Sequence, residues 1–333
     1  MRSILLSKNQ DAAFRVYSEN LLKTLKNIAS LDDGIYDKEK IMKNLSGFSD
    51  VQYIFSTWGM ESFSEEEIKS IFPSLKAIFY SAGTVQGFAR PFLNCGVKVF
   101  SAWAANAVPV AEYSVSQIIL ANKGFFACSE LKSHGEEKKS FEVSKNYFGN
   151  YNANVGLIGV GMIGKLVAKM LKNYNLNVFA YDPFLPPEVA EDLGITMCSL
   201  EEIFEKCHVI SNHLANNEQT KHMLNYHLFS KMLPYSTFIN TGRGAQVNED
   251  DLVRILTERP DITAILDVTD PEPPLAGHEF YKLKNCFLTP HIAGSSGKEV
   301  ERMAEYMIEE FRKFIKGEPT NYEVSIKMLD TMA

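Results

Sequence analysis

Cysteine is scarce and unpatterned in this chain. The five cysteines, Cys95, Cys128, Cys198, Cys207 and Cys286, include no CxxC pair, and their spacing suits no metal, so none is expected. An odd number of scattered thiols excludes a disulfide framework and points to an intracellular, cytoplasmic protein. Any apolar stretch of about 18 residues is missing too, which excludes a membrane-spanning helix. The opening apolar run, Ile4-Leu5-Leu6, is too short for a signal peptide. Basic charge is not in excess: 34 Lys and Arg against 41 Asp and Glu leave a net charge of −7. Wrapping nucleic acid needs a basic stripe that displaces counterions, so no nucleic-acid partner is expected. The acidic balance reads as plain solubility. Internal repeats and low-complexity tracts are absent as well.

What is present is globular. The 333 residues are 45% apolar and 23% charged, too many for one ordinary core, so two domains are expected. Short apolar runs mark strands at Ile4–Leu6, Val51–Thr57, Leu75–Ser81 and Val97–Ala102. Ser64, the acids after it and the terminating Pro73 read as a short helix between two of them. Strand, helix, strand at this pitch suggests a small parallel sheet. A long helix is predicted over Val108–Phe126, and a polar loop or hairpin over Cys128–Asn152. A second alternation follows, with strands at 154–159, 177–181, 208–214, 236–241, 262–268 and 285–290. Nearly continuous apolar strands imply a sheet covered on both faces, a doubly wound α/β fold. A last amphipathic helix is predicted from about Lys298 to Lys316.

The motif Gly159-Val-Gly161-Met162-Ile163-Gly164 follows a predicted strand and opens a helix predicted over Lys165–Asn173. The first glycine permits a tight turn, the second lets the backbone approach a pyrophosphate, and the third lets helix and strand pack closely. The helix N-terminus then presents free N–H groups to the phosphates. Asp182 lies 18 residues past Gly164, at the end of the next strand, where an acid accepts the adenosine ribose hydroxyls and repels a 2′-phosphate. No Arg or Lys adjoins it, which favours NAD over NADP. The alternatives are a glycine-rich turn that binds nothing and an Asp182-Pro183 turn.

Three more motifs sit at or just past predicted strand ends, where open α/β sheets bind ligands. They are Asn240-Thr241-Gly-Arg243-Gly, Asp267-Val-Thr-Asp-Pro-Glu272-Pro and Leu288-Thr-Pro-His291-Ile-Ala-Gly. Reducing a 2-oxo acid needs a proton at the carbonyl oxygen as hydride arrives, and a histidine near neutrality delivers one. Glu272 can orient the His291 ring through its other nitrogen. Arg243 can grip the carboxylate and polarise the carbonyl with its planar donors. Singly, each has a structural alternative: a loop-surface cation, a solvated acid in a Pro-rich turn, a satisfied structural histidine.

Together these residues resemble the D-isomer-specific 2-hydroxyacid dehydrogenases, a family that includes phosphoglycerate, glyoxylate and D-lactate dehydrogenases. The likeness runs from about Lys76 to Glu318 and includes Asn106-Ala-Val-Pro-Val-Ala-Glu112. It implies two Rossmann-like domains. A doubly wound NAD-binding domain over residues 106–297 is inserted in a smaller flavodoxin-like substrate domain formed by 1–105 and 298–333. It implies Arg243, Glu272 and His291 as the catalytic trio and NAD as cofactor. Asp267 matches the position holding the nicotinamide carboxamide, and Thr241, Met162 and Ile163 fall with the cofactor motifs. Ala82 and Gly83 match the loop whose backbone N–H groups bind the substrate carboxylate, and Asn106 sits near the substrate. A homodimer built largely on the helix after Pro109 and its flanking segments is implied too, and the D stereochemistry rests on the resemblance alone.

The chain departs from that family at His213-Leu-Ala-Asn-Asn, where His-x-Pro-x-Thr is common, and at Thr84-Val-Gln-Gly after Gly83. Trp58-Gly-Met60 is bulky for a loop beside the substrate. The residues Trp58 and Met60 either select the side chain of the acid or, for Trp58, pack the small domain. Phosphoglycerate is disfavoured, because no cluster of cations marks the substrate loops. Competing readings are a non-enzymatic NAD(H)-binding corepressor or scaffold of the same fold, and a formate-dehydrogenase-like enzyme. The latter carries Gln at the position of Glu272.

Overall fold

A computed structural model describes residues 1–330. The chain divides into two compact units, one of Met1–Asn106 with the residues from Ser295 onward, the other of Ala107–Gly294. Thirteen strands are found among the described residues. In chain order they are β1 (Ser3–Leu6), β2 (Leu31–Tyr36), β3 (Tyr53–Ser56), β4 (Ala77–Tyr80), β5 (Lys98–Ser101), β6 (Ala153–Ile158), β7 (Leu176–Tyr181), β8 (Ile195–Met197), β9 (Val209–Asn212), β10 (Thr237–Asn240), β11 (Thr263–Leu266), β12 (Cys286–Leu288) and β13 (Glu323–Val324).

The smaller unit has the sheet order β13-β5-β4-β3-β1-β2, parallel except for β13, which runs antiparallel to β5. Order 2-1-3-4-5 is that of flavodoxin-like doubly wound folds. Strands β1, β3 and β4 are buried at every residue, as a sheet covered on both faces requires. Aromatic rings fill the core: Phe79 stacks on Phe100 at 4.8 Å and meets Phe311 edge-on at 5.3 Å. Phe311 comes from the helix Glu299–Lys316. Buried Glu310 on that helix accepts the N–H groups of Asn321 and Tyr322, which ties β13 to it.

The larger unit orders its strands β12-β11-β10-β9-β6-β7-β8, all parallel. Counted within the unit this is 3-2-1-4-5-6 extended by one strand, the order of Rossmann folds. Chain direction across the sheet reverses between β6 and β9, so the turns after β6, β9, β10 and β11 share one edge at the switch point.

The structure corrects the sequence reading at several places. Residues 128–152 are mostly helical rather than a loop or hairpin, with helices Phe125–Ser133 and Glu137–Ser144. Their charge misled because they bury almost nothing; exposed helices of this kind rest on local pairs such as Lys139–Glu136 and Lys145–Glu142. The long helix spans Trp103–Asn122 with Pro109 inside it, so it starts before the predicted Val108. Alanines at 104, 105 and 107 favour that early start, and Pro109 forfeits only the bond its missing N–H would give Ala105. The helix predicted from Lys165 begins at Met162, inside the glycine motif.

Candidate active site

Gly159 follows β6 with φ +87°, and a Cβ there would press on the His213 and Leu214 backbone at 2.8–2.9 Å. Gly164 lies against the Gly159 carbonyl, with no room for a Cβ. Gly161 faces open space, with nothing within 4 Å of an added Cβ. The two closed positions thus bring strand, turn and helix together, and the open one leaves room over the N-terminus of the helix Met162–Leu171. That is the cradle a pyrophosphate needs, and Met162 and Ile163 supply its first helical N–H groups. The residues present therefore fit a dinucleotide. Asp182, one residue past β7, accepts the Val160 N–H at 2.7 Å and the Phe184 N–H at 2.8 Å. Each carboxylate oxygen keeps a lone pair for a ribose hydroxyl, while the Phe184 bond is the Asx turn that the Asp-Pro alternative anticipated.

At the ends of β10, β11 and β12 the three catalytic candidates come together within the larger unit. The His291 Nδ1 and the Glu272 carboxylate are 2.7 Å apart. Arg243 lies close enough to Glu272 to feel its charge, which pulls its pKa up, while burial dominates and holds the guanidinium below its ordinary value. One Arg243 N–H donates to the Gly242 carbonyl at 2.7 Å. Gly244 packs flat on the Thr269–Asp270 backbone, where any Cβ would collide. The Arg243 and Glu272 loops are thereby held against each other.

Asp267 is buried at the end of β11 and spends its carboxylate on the His291 loop. It accepts the Thr289 hydroxyl at 2.6 Å, the Ile292 N–H at 2.8 Å and the Ala293 N–H at 2.9 Å, and its carbonyl accepts the His291 N–H. Thr289 also meets the Tyr113 hydroxyl at 3.0 Å. Thr241 is buried beside Ser114, 3.3 Å away. Burial lowers the His213 pKa to about 4, so this ring is neutral at physiological pH; its Nε2 stands 3.0 Å from the Ser211 hydroxyl.

The candidates of the smaller unit sit at the carboxyl ends of its strands. Buried Ala82 gives its carbonyl to the Ser101 hydroxyl and the Ala102 N–H, and Gly83 faces open space. Met60 lines a cavity of about 490 Å³ together with Lys8, Lys38, Tyr80, Thr84 and Phe88. Trp58 packs against the core of this unit, and its carbonyl accepts the Ser7 hydroxyl. Asn106 accepts the Ser295 N–H at 2.9 Å.

Three residues that the motifs passed over shape the site. Asn212 and Gln246 are fully buried and bonded to one another. Glu249 accepts the Asp270 N–H at 2.8 Å, bracing the segment that leads to Glu272. Burial raises the Glu249 pKa to about 7, helped by the charges of Asp270 and Asp250. No local sequence signal marked the first two.

Fold and site define a dinucleotide-binding α/β protein of dehydrogenase type. The family described as D-isomer specific 2-hydroxyacid dehydrogenase, NAD binding domain, matches residues 120–293, more than half of the chain. The chain belongs to that family and carries its NAD-binding domain. It is similar to a D-3-phosphoglycerate dehydrogenase of Synechocystis, 28% identical over 69% of this chain and 41% of that protein. It is also similar to a glyoxylate reductase of Thermococcus litoralis, 33% identical over 51% of each. The match thus covers less than half the length of these phosphoglycerate dehydrogenases. Among solved structures, D-mandelate dehydrogenase of Rhodotorula graminis aligns with a TM-score of 0.79 at 19% identity, over 97% of both chains. The NAD complex of a D-isomer specific 2-hydroxyacid dehydrogenase from Lactobacillus delbrueckii aligns with 0.78 at 18%, over 98% of this chain and all of that one. Likeness at that identity speaks to the fold.

Proposed function

We propose that this chain reduces small 2-oxo acids to 2-hydroxy acids of the D series with NADH, and runs the reverse oxidation with NAD. The nicotinamide, when bound, supplies the hydride that reaches C2 or accepts the one that leaves it. In reduction His291 donates a proton from Nε2 to the C2 oxygen, and in oxidation it takes that proton back. Glu272 fixes the ring through Nδ1 and compensates the charge on the imidazolium. Arg243 binds the carboxylate and polarises the C2 carbonyl; partial burial strengthens both effects. In the smaller unit, Ala82 and Gly83 offer backbone N–H groups to the carboxylate. Met60 and Trp58 select the side chain, and Asn106 lies near the substrate. Asp182 sets the preference for NAD over NADP. The observation that carries this reading is the 2.7 Å His291–Glu272 pair at the strand ends of the NAD-binding unit.

We also assign a homodimer and a cytoplasmic setting, the latter on five free cysteines. The test is a panel of glyoxylate, hydroxypyruvate, phosphohydroxypyruvate and bulkier 2-oxo acids with NADH and NADPH, followed by nicotinamide absorbance, with chiral analysis of the product. At least one acid should consume NADH faster than NADPH and yield the D isomer. Silence toward every acid, with NADH still bound, would favour a cofactor-sensing role instead.

A further inference from the structure

The loop that carries Arg243 is not held by ordinary turn bonds alone. Asn212 and Asn240 are register partners at the ends of adjacent strands β9 and β10, so their side chains leave the sheet side by side. One Asn212 amide N–H donates to Asn240 Oδ1 at 3.0 Å and the other to Gln246 Oε1 at 2.6 Å. Asn212 Oδ1 accepts the Leu214 N–H. Gln246 Oε1 also accepts the backbone N–H of Arg243 at 3.0 Å. Asn240 Nδ2 donates to the Arg243 carbonyl at 3.1 Å. Gln246 Nε2 donates to the Leu214 carbonyl at 2.7 Å. Gly242, one residue before Arg243, has the Gln246 and Asn212 amides where a side chain would go.

Both backbone polar groups of Arg243 therefore end on buried side-chain amides. The network is closed: flipping the Gln246 amide would set its NH2 against two donors and its oxygen against the Leu214 carbonyl. Such a fully satisfied network fixes one geometry, and a half-satisfied one is costly. Three buried amides cost more to place here than an apolar loop core would. The thing they specify is where the Arg243 backbone, and hence its guanidinium, stands.

We infer that Gln246, braced by Asn212, is a positioning residue for Arg243 and acts on the reaction by setting the register of the carboxylate-binding guanidinium. This rests on the proposed reduction of 2-oxo acids. Gln246→Met keeps the side-chain length and leaves the Arg243 N–H without an acceptor. Its KM for the best 2-oxo acid should rise and kcat/KM should fall about tenfold or more, as a small misplacement of a binding group allows. The dissociation constant of NADH should rise less than the substrate KM, since Gln246 reaches the glycine turn only indirectly, through the Leu214 carbonyl. In an Arg243→Lys background the same substitution should lose most of its effect, because residues acting through one another are not additive.

A merely structural role would lower the melting temperature and leave the substrate KM and kcat as they were; that result overturns the inference. Gln246→Glu decides the matter if Gln246→Met does not fold. Its protonated carboxyl still accepts from Arg243 and donates to Leu214, whereas the carboxylate opposes the Leu214 carbonyl. Its kcat/KM relative to wild type should therefore climb as pH falls, and a flat ratio refutes the positioning role. Oxamate binding in the presence of NADH separates the two levels of the argument. A wild type that neither turns over nor binds oxamate removes the functional reading itself. A wild type that does both, with Gln246→Met its equal, removes only this inference.

Discussion

His291 adopts a left-handed backbone, φ 53°, a conformation that costs a β-carbon-bearing residue of order 1–3 kcal/mol. Asp267 sustains it: two N–H groups of the following residues and the Thr289 hydroxyl all end on that one carboxylate. The strain aims the imidazole at Glu272, so local backbone energy is converted into orientation. If His291 is the proton donor, His291→Gln should lower kcat for 2-oxo acid reduction by about 10²–10⁴-fold. Glu272→Gln, which keeps an acceptor for Nδ1 but removes the charge, should cost less than that. Both variants should bind NADH as wild type does, by fluorescence titration. Equal losses in NADH affinity and turnover would mean that the loop itself had collapsed.

At the scale of elements, the helix Glu249–Glu258 begins beside the site, and its first residue is a largely buried acid, 11% exposed at the side chain. Glu249 has a folded pKa raised to about 7, above the ordinary glutamate value near 4.5. The sign follows from which state holds its proton longer. Below about pH 4.5 both folded and unfolded chains are protonated there and folding bears no penalty. As pH rises toward 7 the unfolded chain releases its proton first, and stability falls by about 3 kcal/mol. Glu249→Gln keeps an acceptor for the Asp270 N–H without the charge. Thermal melts should show the variant gaining on wild type by a few degrees between pH 5 and pH 8; a pH-independent gap would contradict the raised pKa. The glycine-turn element makes a separate prediction. Asp182→Ala removes the proposed acceptor of ribose hydroxyls and should weaken NADH binding while narrowing the gap to NADPH, read as the ratio of their dissociation constants.

Legibility in the sequence followed burial at this scale. Central strands such as β3, β4, β9, β10 and β11 are buried at every residue, and their mostly apolar runs announced them. Strands β2, β8 and β13 lie at sheet edges, where one side is unpaired and selection for apolar residues is weak; Leu-Asp-Asp-Gly-Ile-Tyr reads as a turn. Arg243, Glu272 and His291 were visible because glycine and proline neighbours mark strand-end loops. Asn212 and Gln246 were not, since 34 residues separate them and no local pattern distinguishes a buried amide from a solvated one. Glu249 hid as an ordinary first-turn acid of a helix.

For the whole molecule, the open question with a physical handle is assembly. Large apolar side chains lie exposed in one stretch of the larger unit: Phe125 at 49%, Phe141 at 65%, Phe148 at 54% and Tyr151 at 71%. The helices that carry Phe125 and Phe141 have Ser140 as their one buried residue. Large exposed aromatic surface is unfavourable in water unless something covers it. A second copy related by a two-fold axis meets that need with the same patch on both sides, so each substitution enters the interface twice. Light scattering should therefore give a mass near twice 37.5 kDa, independent of concentration in the micromolar range. Phe141→Glu with Tyr151→Glu sets four carboxylates into the doubled patch. Desolvating them against one another outweighs the area gained, so that variant should run as a 37.5 kDa monomer while still binding NADH. A wild-type mass of one chain at every concentration would leave this aromatic patch without a dimer to explain it.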